Sequence, residues 1–177
     1  IVAGFIGWYE EYTPLFDSTA GIATQYIPLV ISGALVLNII ASLIAPRFER
    51  GGKMSKTLLI FGGGMMVIFS TLGWWLPLIV LLAHGGLILL RVLRILLDAE
   101  LQHAADGTVR ATLGSIAGLL SYPITIGVAL TFALLSGQMQ GFLPFRWIGI
   151  AILICGVILL INTKDNLVLN NEHADKN

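Results

Sequence analysis

The sequence predicts an all-α integral membrane protein with six transmembrane helices, the first of them truncated. Charged residues make up only 11% of the 177 positions, whereas they occupy about a quarter of the positions in a soluble domain. Apolar residues form runs of about 20, the length that crosses a bilayer core of about 30 Å. Nine of the ten lysines and arginines fall in segments that would share one side of the membrane. Too few polar residues remain to cover a water-facing surface, so we expect lipid to be the outer solvent.

The first three helices are predicted from apolar runs and from the residues at their ends. The first covers about residues 1–16. It carries three aromatic residues typical of the belt at a membrane interface: Trp8, Tyr9 and Tyr12. The second covers residues 24–45 and is expected to stop at Pro46, because proline cannot continue a helix. The third covers about residues 57–75.

The last three helices follow the same pattern, with prolines at two informative positions. The fourth begins around Pro77, whose missing N–H is harmless in a first turn, and extends to about Leu97. The fifth covers about residues 111–136 and contains Pro123, where we expect a kink. The sixth covers about residues 144–162.

The chain is therefore predicted to divide into a six-helix unit, residues 1–163, and a polar tail, residues 164–177. The tail is too hydrophilic to bury and is expected to be disordered. Because short cytoplasmic loops retain Lys and Arg, the distribution of cations places this tail in the cytoplasm. The chain begins at Ile1, inside an apolar run and without an initiator methionine, so we expect it to be a fragment of a longer protein.

Composition and motifs disfavour several classes of function. The formal net charge is zero and no basic run is interleaved with aromatic residues, so we expect no nucleic-acid partner. The single cysteine, Cys155, rules out an intrachain disulfide. The HExxH and GxSxG motifs are absent and the histidines lack metal-ligand spacing. We therefore expect no enzymatic activity, no metal and no cofactor.

A polar stripe on the fourth helix is the first candidate site. His84, Arg91 and Asp98 recur every seven residues, which places them on one helix face. Ionisable groups at membrane depth usually face the bundle interior or a water-filled path, so the stripe is a site hypothesis. Alternatively, His84 bonds a neighbouring helix, while Arg91 and Arg94 reach the cytoplasmic headgroups and pair with Asp98.

A second candidate face lies on the fifth helix. Small and polar residues recur there at spacings of four and three: Ala111, Ser115, Gly118, Tyr122, Thr125 and Ala129. Such residues let helices approach closely, so plain helix packing is one interpretation. The other is a moving interface on which Tyr122 and Thr125 contact a solute.

Two further features leave alternatives open. Glu10, in the first helix, belongs either to a solvated outer rim or to a cavity in which it binds a cation or a proton.

The glycine run 62–64 lacks the GK[ST] sequence of a phosphate loop. We expect this run to serve helix packing or local bending.

Three segments resemble the major facilitator superfamily of transporters. Residues 110–115, RATLGS, look like the stretch before helix eleven of that family. Residues 45–53, APRFERGGK, are similar to its basic loop between helices eight and nine, although Pro46 stands where the family usually has an acidic residue. Residues 8–12, WYEEY, resemble the outer part of helix seven. The resemblance extends over the whole chain, read as helices seven to twelve.

The resemblance implies the carboxyl-terminal half of a secondary active transporter that moves a small solute by alternating access. Such a half consists of two inverted three-helix repeats, a feature for which this family is a standard example. The implied partners are a missing amino-terminal six-helix half, the lipid bilayer, and a small-molecule solute with or without a coupling ion. The implied location is the bacterial cytoplasmic (inner) membrane.

The resemblance also implies roles for individual residues. Helices seven and ten of the family line the solute cavity, which makes pocket residues of Glu10, His84 and Arg91. Tyr122 and Thr125 join them as candidate solute contacts. The implied cytoplasmic gate contains three cations: Arg47, Arg50 and Arg110.

Two other functions compete with the transporter half. A complete six-helix membrane module, such as a permease subunit that docks a separate ATPase, would need a cytoplasmic docking helix, for which residues 103–110 are the candidate. An intramembrane hydrolase would need a nucleophile, for which Ser115 is the candidate.

Overall fold

Six α-helices make up the protein in a computed structural model that describes residues 2–73, 75–103, 109–138 and 141–174. A short 3-10 turn, Thr24–Tyr26, precedes the second helix. The helices are α1 Val2–Thr19, α2 Ile27–Glu49, α3 Gly52–Ser70, α4 Leu76–His103, α5 Arg110–Gln138 and α6 Leu143–Ala174. The predicted all-α class and the number of helices are confirmed.

The ends of α2 and α3 differ from the prediction. Helix α2 continues through Pro46 to Glu49, because a proline removes only one backbone hydrogen bond and little helix lies beyond it. Helix α3 begins at Gly52 and ends at Ser70, ahead of the predicted range at both ends. Gly73, at a φ of 74°, turns the chain in the left-handed region that glycine tolerates.

The later helices are longer than predicted. Helix α4 runs past Leu97 to His103, and α5 continues through Pro123 without ending. Helix α6 extends to Ala174, so the backbone of the tail predicted to be disordered is helical as far as that residue. No proline or glycine follows Gly156 in the sequence, so nothing in the chain forces the helix to stop.

Within the part of the chain that the structure describes, three helices are long and apolar enough to cross a membrane: Thr24–Glu49, Leu76–His103 and Ala111–Gly137. The apolar part of α6, Leu143–Leu159, is shorter. Helix α1 carries three carboxylates within its 18 residues, and α3 starts with two lysines. These charges lower the mean hydropathy of α1 and α3. Length and hydropathy therefore support three spans and not the six that were predicted.

The core forms around α4 and α3. Helix α4 packs against α1, α2, α3 and α5, while α3 packs against α4, α6 and α2. Helix α1 completes the bundle by packing against α5 and α6 as well. The described part of α2 and α5 leaves long apolar faces uncovered within this chain.

The aromatic residues of α1 lie in the core and not at an interface. Trp8 and Tyr9 are at most 1% exposed. Trp8 stacks on Tyr12, with ring centroids 4.6 Å apart, and also contacts Phe132 of α5 and Phe145 of α6. The predicted interfacial belt is therefore wrong, because these rings face neighbouring helices whose own aromatic rings cover them.

Close backbone approach between α3 and α4 depends on glycine. A Cβ atom added at Gly86 would lie 2.9 Å from the carbonyl oxygen of Gly63. A Cβ atom at Gly64 would lie 2.5 Å from a methyl group of Leu153 in α6. The glycine run thus serves helix packing, as expected. On α5, by contrast, Gly114 and Gly118 have nothing within 4 Å of such an atom, so packing within this chain does not account for its small residues.

We expect Gly86→Ala to lower the free energy of unfolding by about 1–3 kcal/mol, because a backbone oxygen cannot move aside as a side chain can. The matched substitution Gly118→Ala meets open space and should be neutral or stabilising by up to about 1 kcal/mol through helix propensity. Unfolding by SDS in mixed micelles, followed by circular dichroism, measures both. Equal stability of the two variants would contradict the close α3–α4 contact.

Candidate functional site

A cluster of charged side chains joins α1 to α4. Oε1 of Glu10 accepts a hydrogen bond from Nη1 of Arg91 at 2.6 Å. Its Oε2 lies 3.7 Å from Nη1 of Arg94, whose Nε is 4.0 Å from Oδ2 of Asp98 one turn further on. We call Glu10, Arg91, Arg94 and Asp98 the charged cluster. Because two carboxylates alternate with two guanidinium groups, the cluster carries no net charge.

A second acid–base pair lies seven residues away on each helix. Nε2 of His84 is 3.7 Å from Oδ2 of Asp17. The step from Glu10 to Asp17 on α1 matches the step from Arg91 back to His84 on α4, so the two helices run antiparallel in register over this stretch. The predicted stripe of the fourth helix thus faces α1.

The two contacts differ in their access to water. The side chains of Arg91 and Glu10 are 36% and 23% exposed, whereas Asp17 is fully buried and His84 is 6% exposed. Water can therefore compete for the hydrogen bonds of the charged cluster but does not reach the Asp17–His84 pair. The cluster can exchange an internal partner for an ionic group of a ligand at modest cost.

Cavities flank the charged cluster on two sides. One of about 380 Å³, between α1, α4 and α5, is lined by Gly7, Glu10, Glu11, Arg94, Tyr122 and Thr125 among others. A cavity of about 300 Å³ shares Arg94 with it and extends toward Asp98 and Gln102. A third, of about 220 Å³, lies on the α2 side of the Glu10–Arg91 contact and reaches Asn38. The largest falls within the size range of small-molecule pockets.

The structure brings together most of the predicted solute contacts. Glu10, Tyr122 and Thr125 line the same cavity, and Arg91 lies behind Glu10 on the α2 side. The hydroxyl of Thr125 donates to the carbonyl oxygen of Ser121 at 3.0 Å. His84 lines none of these three cavities, because its ring is turned into the bundle against Asp17.

Two of the three predicted gate residues lie away from the cavities. Arg47 and Arg50 are exposed at the carboxyl-terminal end of α2, and neither lines the three cavities around the cluster. Arg110 is the first residue of α5, but its side chain lies outside the described residues. The nearby Lys56 of α3 instead forms an ion pair with Glu100 of α4.

The structure bears on the alternatives left open for the charged residues. Glu10 lines a cavity and contacts Arg91, in agreement with the second alternative for this residue. Arg91 and Arg94 lie within α4, which continues to His103. The alternative pairing of Arg94 with Asp98 is present, although Arg94 also approaches Glu10.

Asp17 was not among the predicted site residues, because the first helix was predicted to end at about residue 16. The sequence does contain a signal for Asp17. Glu10 and Asp17 are seven residues apart, the same interval that separates His84 from Arg91. Two helices with matching seven-residue intervals of opposite charge can pair both contacts at once when they run antiparallel.

Among the side chains that the structure describes, no group of three or more His, Cys, Asp or Glu residues is arranged to hold a metal ion. Comparison of the chain with known protein families, with curated proteins and with solved structures finds no match.

Proposed function

We propose that the protein is the carboxyl-terminal half of a secondary active transporter of the major facilitator superfamily, moving a small solute by alternating access. The observation that carries the proposal is the Glu10–Arg91 contact, which joins opposite charges of α1 and of the apolar helix α4 and has a cavity on each side. Ionisable groups are costly at membrane depth and usually mark a solute or ion path. A structural ion pair would need no cavities around it.

The pattern of helix packing also supports two inverted three-helix repeats. If α1 is exchanged with α4, α2 with α5 and α3 with α6, packed pairs map onto packed pairs. The contact of α1 with α5 becomes that of α4 with α2, and the contact of α3 with α4 becomes that of α6 with α1. Such an exchange is what a pseudo-two-fold axis between two repeats produces.

Helices α2 and α5, which this exchange maps onto each other, would contact the amino-terminal half. Only 6% of the apolar window of α2 and 11% of that of α5 is buried in this chain, against 44% for α4. Small residues on α5, including Gly114 and Gly118, would then allow close approach by a helix of the other half. The missing half would also close the cavity beside Tyr122.

In this proposal Glu10 and Arg91 exchange their mutual contact for ionic or polar groups of the solute. Tyr122 and Thr125 supply hydroxyl groups to the same cavity. Arg47, Arg50 and Arg110 act as the cytoplasmic gate, and the distribution of lysine and arginine directs the carboxyl terminus into the cytoplasm of a bacterial cell. His84 has no direct part in solute binding, since it lies away from the cavities.

Transport without ATP tests this function. The full-length protein, expressed from the coding sequence that contains this chain, is reconstituted in liposomes preloaded in turn with sugars, amino acids and organic acids. We expect counterflow of a labelled solute from at least one class without nucleotide, and about six further spans encoded before Ile1. Uptake that requires ATP and a separate ATPase subunit would contradict the proposal and favour the permease subunit.

A further inference from the structure

We propose that Asp17 and His84 form a buried binding site for a single proton, which the two side chains share. The site lies outside the cavities and is independent of whether the protein is a transporter. It follows from the positions of three atoms that lack hydrogen-bond partners in the described structure: both carboxylate oxygens of Asp17 and Nε2 of His84.

The orientation of the imidazole ring determines which nitrogen faces the acid. Nδ1 of His84 lies 3.0 Å from the carbonyl oxygen of Val80. A carbonyl oxygen can only accept, so Nδ1 carries a hydrogen and donates it. In the neutral ring Nε2 is then a bare acceptor, and it points at Asp17 from 3.7 Å.

Counting protons across this contact leaves one acceptable state. With no proton between them, two acceptors face each other and the carboxylate is an uncompensated buried charge. With two protons, a buried imidazolium is left without a counter-ion. A net negative or a net positive charge each costs several kcal/mol of folding free energy in a site closed to water. With one proton, on Nε2 or on the carboxyl oxygen, the pair is neutral overall and has a donor for its acceptor.

No other charge on the surrounding helices replaces that proton. On α1 the phenol of Tyr9 interacts electrostatically with Asp17, but a phenol cannot supply a positive charge. At the end of α3 the hydroxyls of Ser70 and of the next residue, Thr71, donate to backbone carbonyl oxygens. Arg91 of α4 is engaged by Glu10, and Arg146 of α6 donates to Thr71 at 3.0 and 3.1 Å.

The two remaining helices bring no charge to this region. The sequence of α2 has its only ionisable groups, Arg47 and Glu49, at its far end. The sequence of α5 has an acid or base only at Arg110, apart from the phenol of Tyr122 in the cavity. The proton can therefore leave only if water reaches the pair. Its release and the separation of α1 from α4 must then favour each other, because linked equilibria are reciprocal.

Spectroscopy of the wild-type protein in lipid nanodiscs tests the site without any transport assay. At about pH 8.5, two units above the usual value for histidine, we expect one retained proton per chain. It will appear either as a protonated Nε2 in the ¹⁵N spectrum of His84 or as a carboxylic-acid band of Asp17 in the infrared spectrum. His103, exposed at the end of α4, gives its own ¹⁵N signals in the same sample and provides the internal reference.

Isosteric replacement assigns the signal. Asp17→Asn removes the acid while its amide can still donate to Nε2, so the retained proton should disappear at about pH 8.5 and His103 should be unaffected. A carboxylate infrared signal from Asp17 together with an unprotonated, unbonded Nε2 in the wild-type protein would overturn the proposal. Simultaneous protonation of both side chains near neutral pH would overturn it equally.

Discussion

Replacement of His84 by alanine is expected to lower the free energy of unfolding by about 3–5 kcal/mol, the cost typical of removing one member of a buried acid–base pair. The variant leaves the carboxyl group of Asp17 with no partner in a site that water does not reach. Reversible unfolding in mixed micelles, followed by circular dichroism at a fixed pH, measures the effect.

The histidine at the end of the same helix provides the control. His103 is exposed, so His103→Ala should change stability by no more than about 0.5 kcal/mol. The double variant Asp17→Leu with His84→Leu should recover most of the loss, because apolar residues often replace a buried pair without penalty. If His84→Ala is as stable as His103→Ala, the buried contact between Asp17 and His84 does not exist.

The largest effect on activity is expected from Glu10. In the full-length protein, Glu10→Ala should reduce the rate of counterflow about 10- to 100-fold, the equivalent of about 1.5–3 kcal/mol for a lost charge-assisted hydrogen bond. The reason is that Arg91 loses its hydrogen-bond acceptor, and Arg94 loses the nearer of the two carboxylates that it approaches. Initial rates are compared at equal amounts of reconstituted protein, so that a defect in expression does not count as lost transport.

Two further variants show whether the pairing or the carboxylate itself matters. Glu49→Gln removes an exposed carboxylate at the end of α2 and should leave the rate unchanged. Exchanging the charges, Glu10→Arg with Arg91→Glu, should recover part of the rate if the mutual contact is what the transport cycle needs. Full activity of Glu10→Ala would remove the observation on which the proposed function depends.

Apolar runs were sufficient to predict the helices but not what each helix faces. Trp8 and Tyr9 show the difference, since aromatic residues suit both a membrane interface and a packed core. Only the positions of Phe132 and Phe145, more than a hundred residues later in the chain, decide between the two. Composition carries no information about such distant neighbours.

The candidate site was predictable to a similar extent. A seven-residue interval showed that His84 and Arg91 share a face, yet it could not identify the helix opposite or separate a ligand contact from a buried pair. Glu10 is 81 residues from Arg91 in sequence, so its role depends on tertiary packing. The difference in burial between Glu10 and Asp17 arises from the helices around them and not from their own sequence neighbourhood.

The contact between Gly63 and Gly86 has a mechanical consequence. Two helices whose main chains are in contact cannot slide or tilt against each other without a steric clash. We therefore expect α3 and α4 to move as one rigid body. Helix α5 has no comparable attachment at Gly114 or Gly118. The cavity wall of α5 is instead held to α1, where a Cβ atom added at Gly4 would lie 3.3 Å from the carbonyl oxygen of Ser121, so α1 and this wall are expected to shift as one unit.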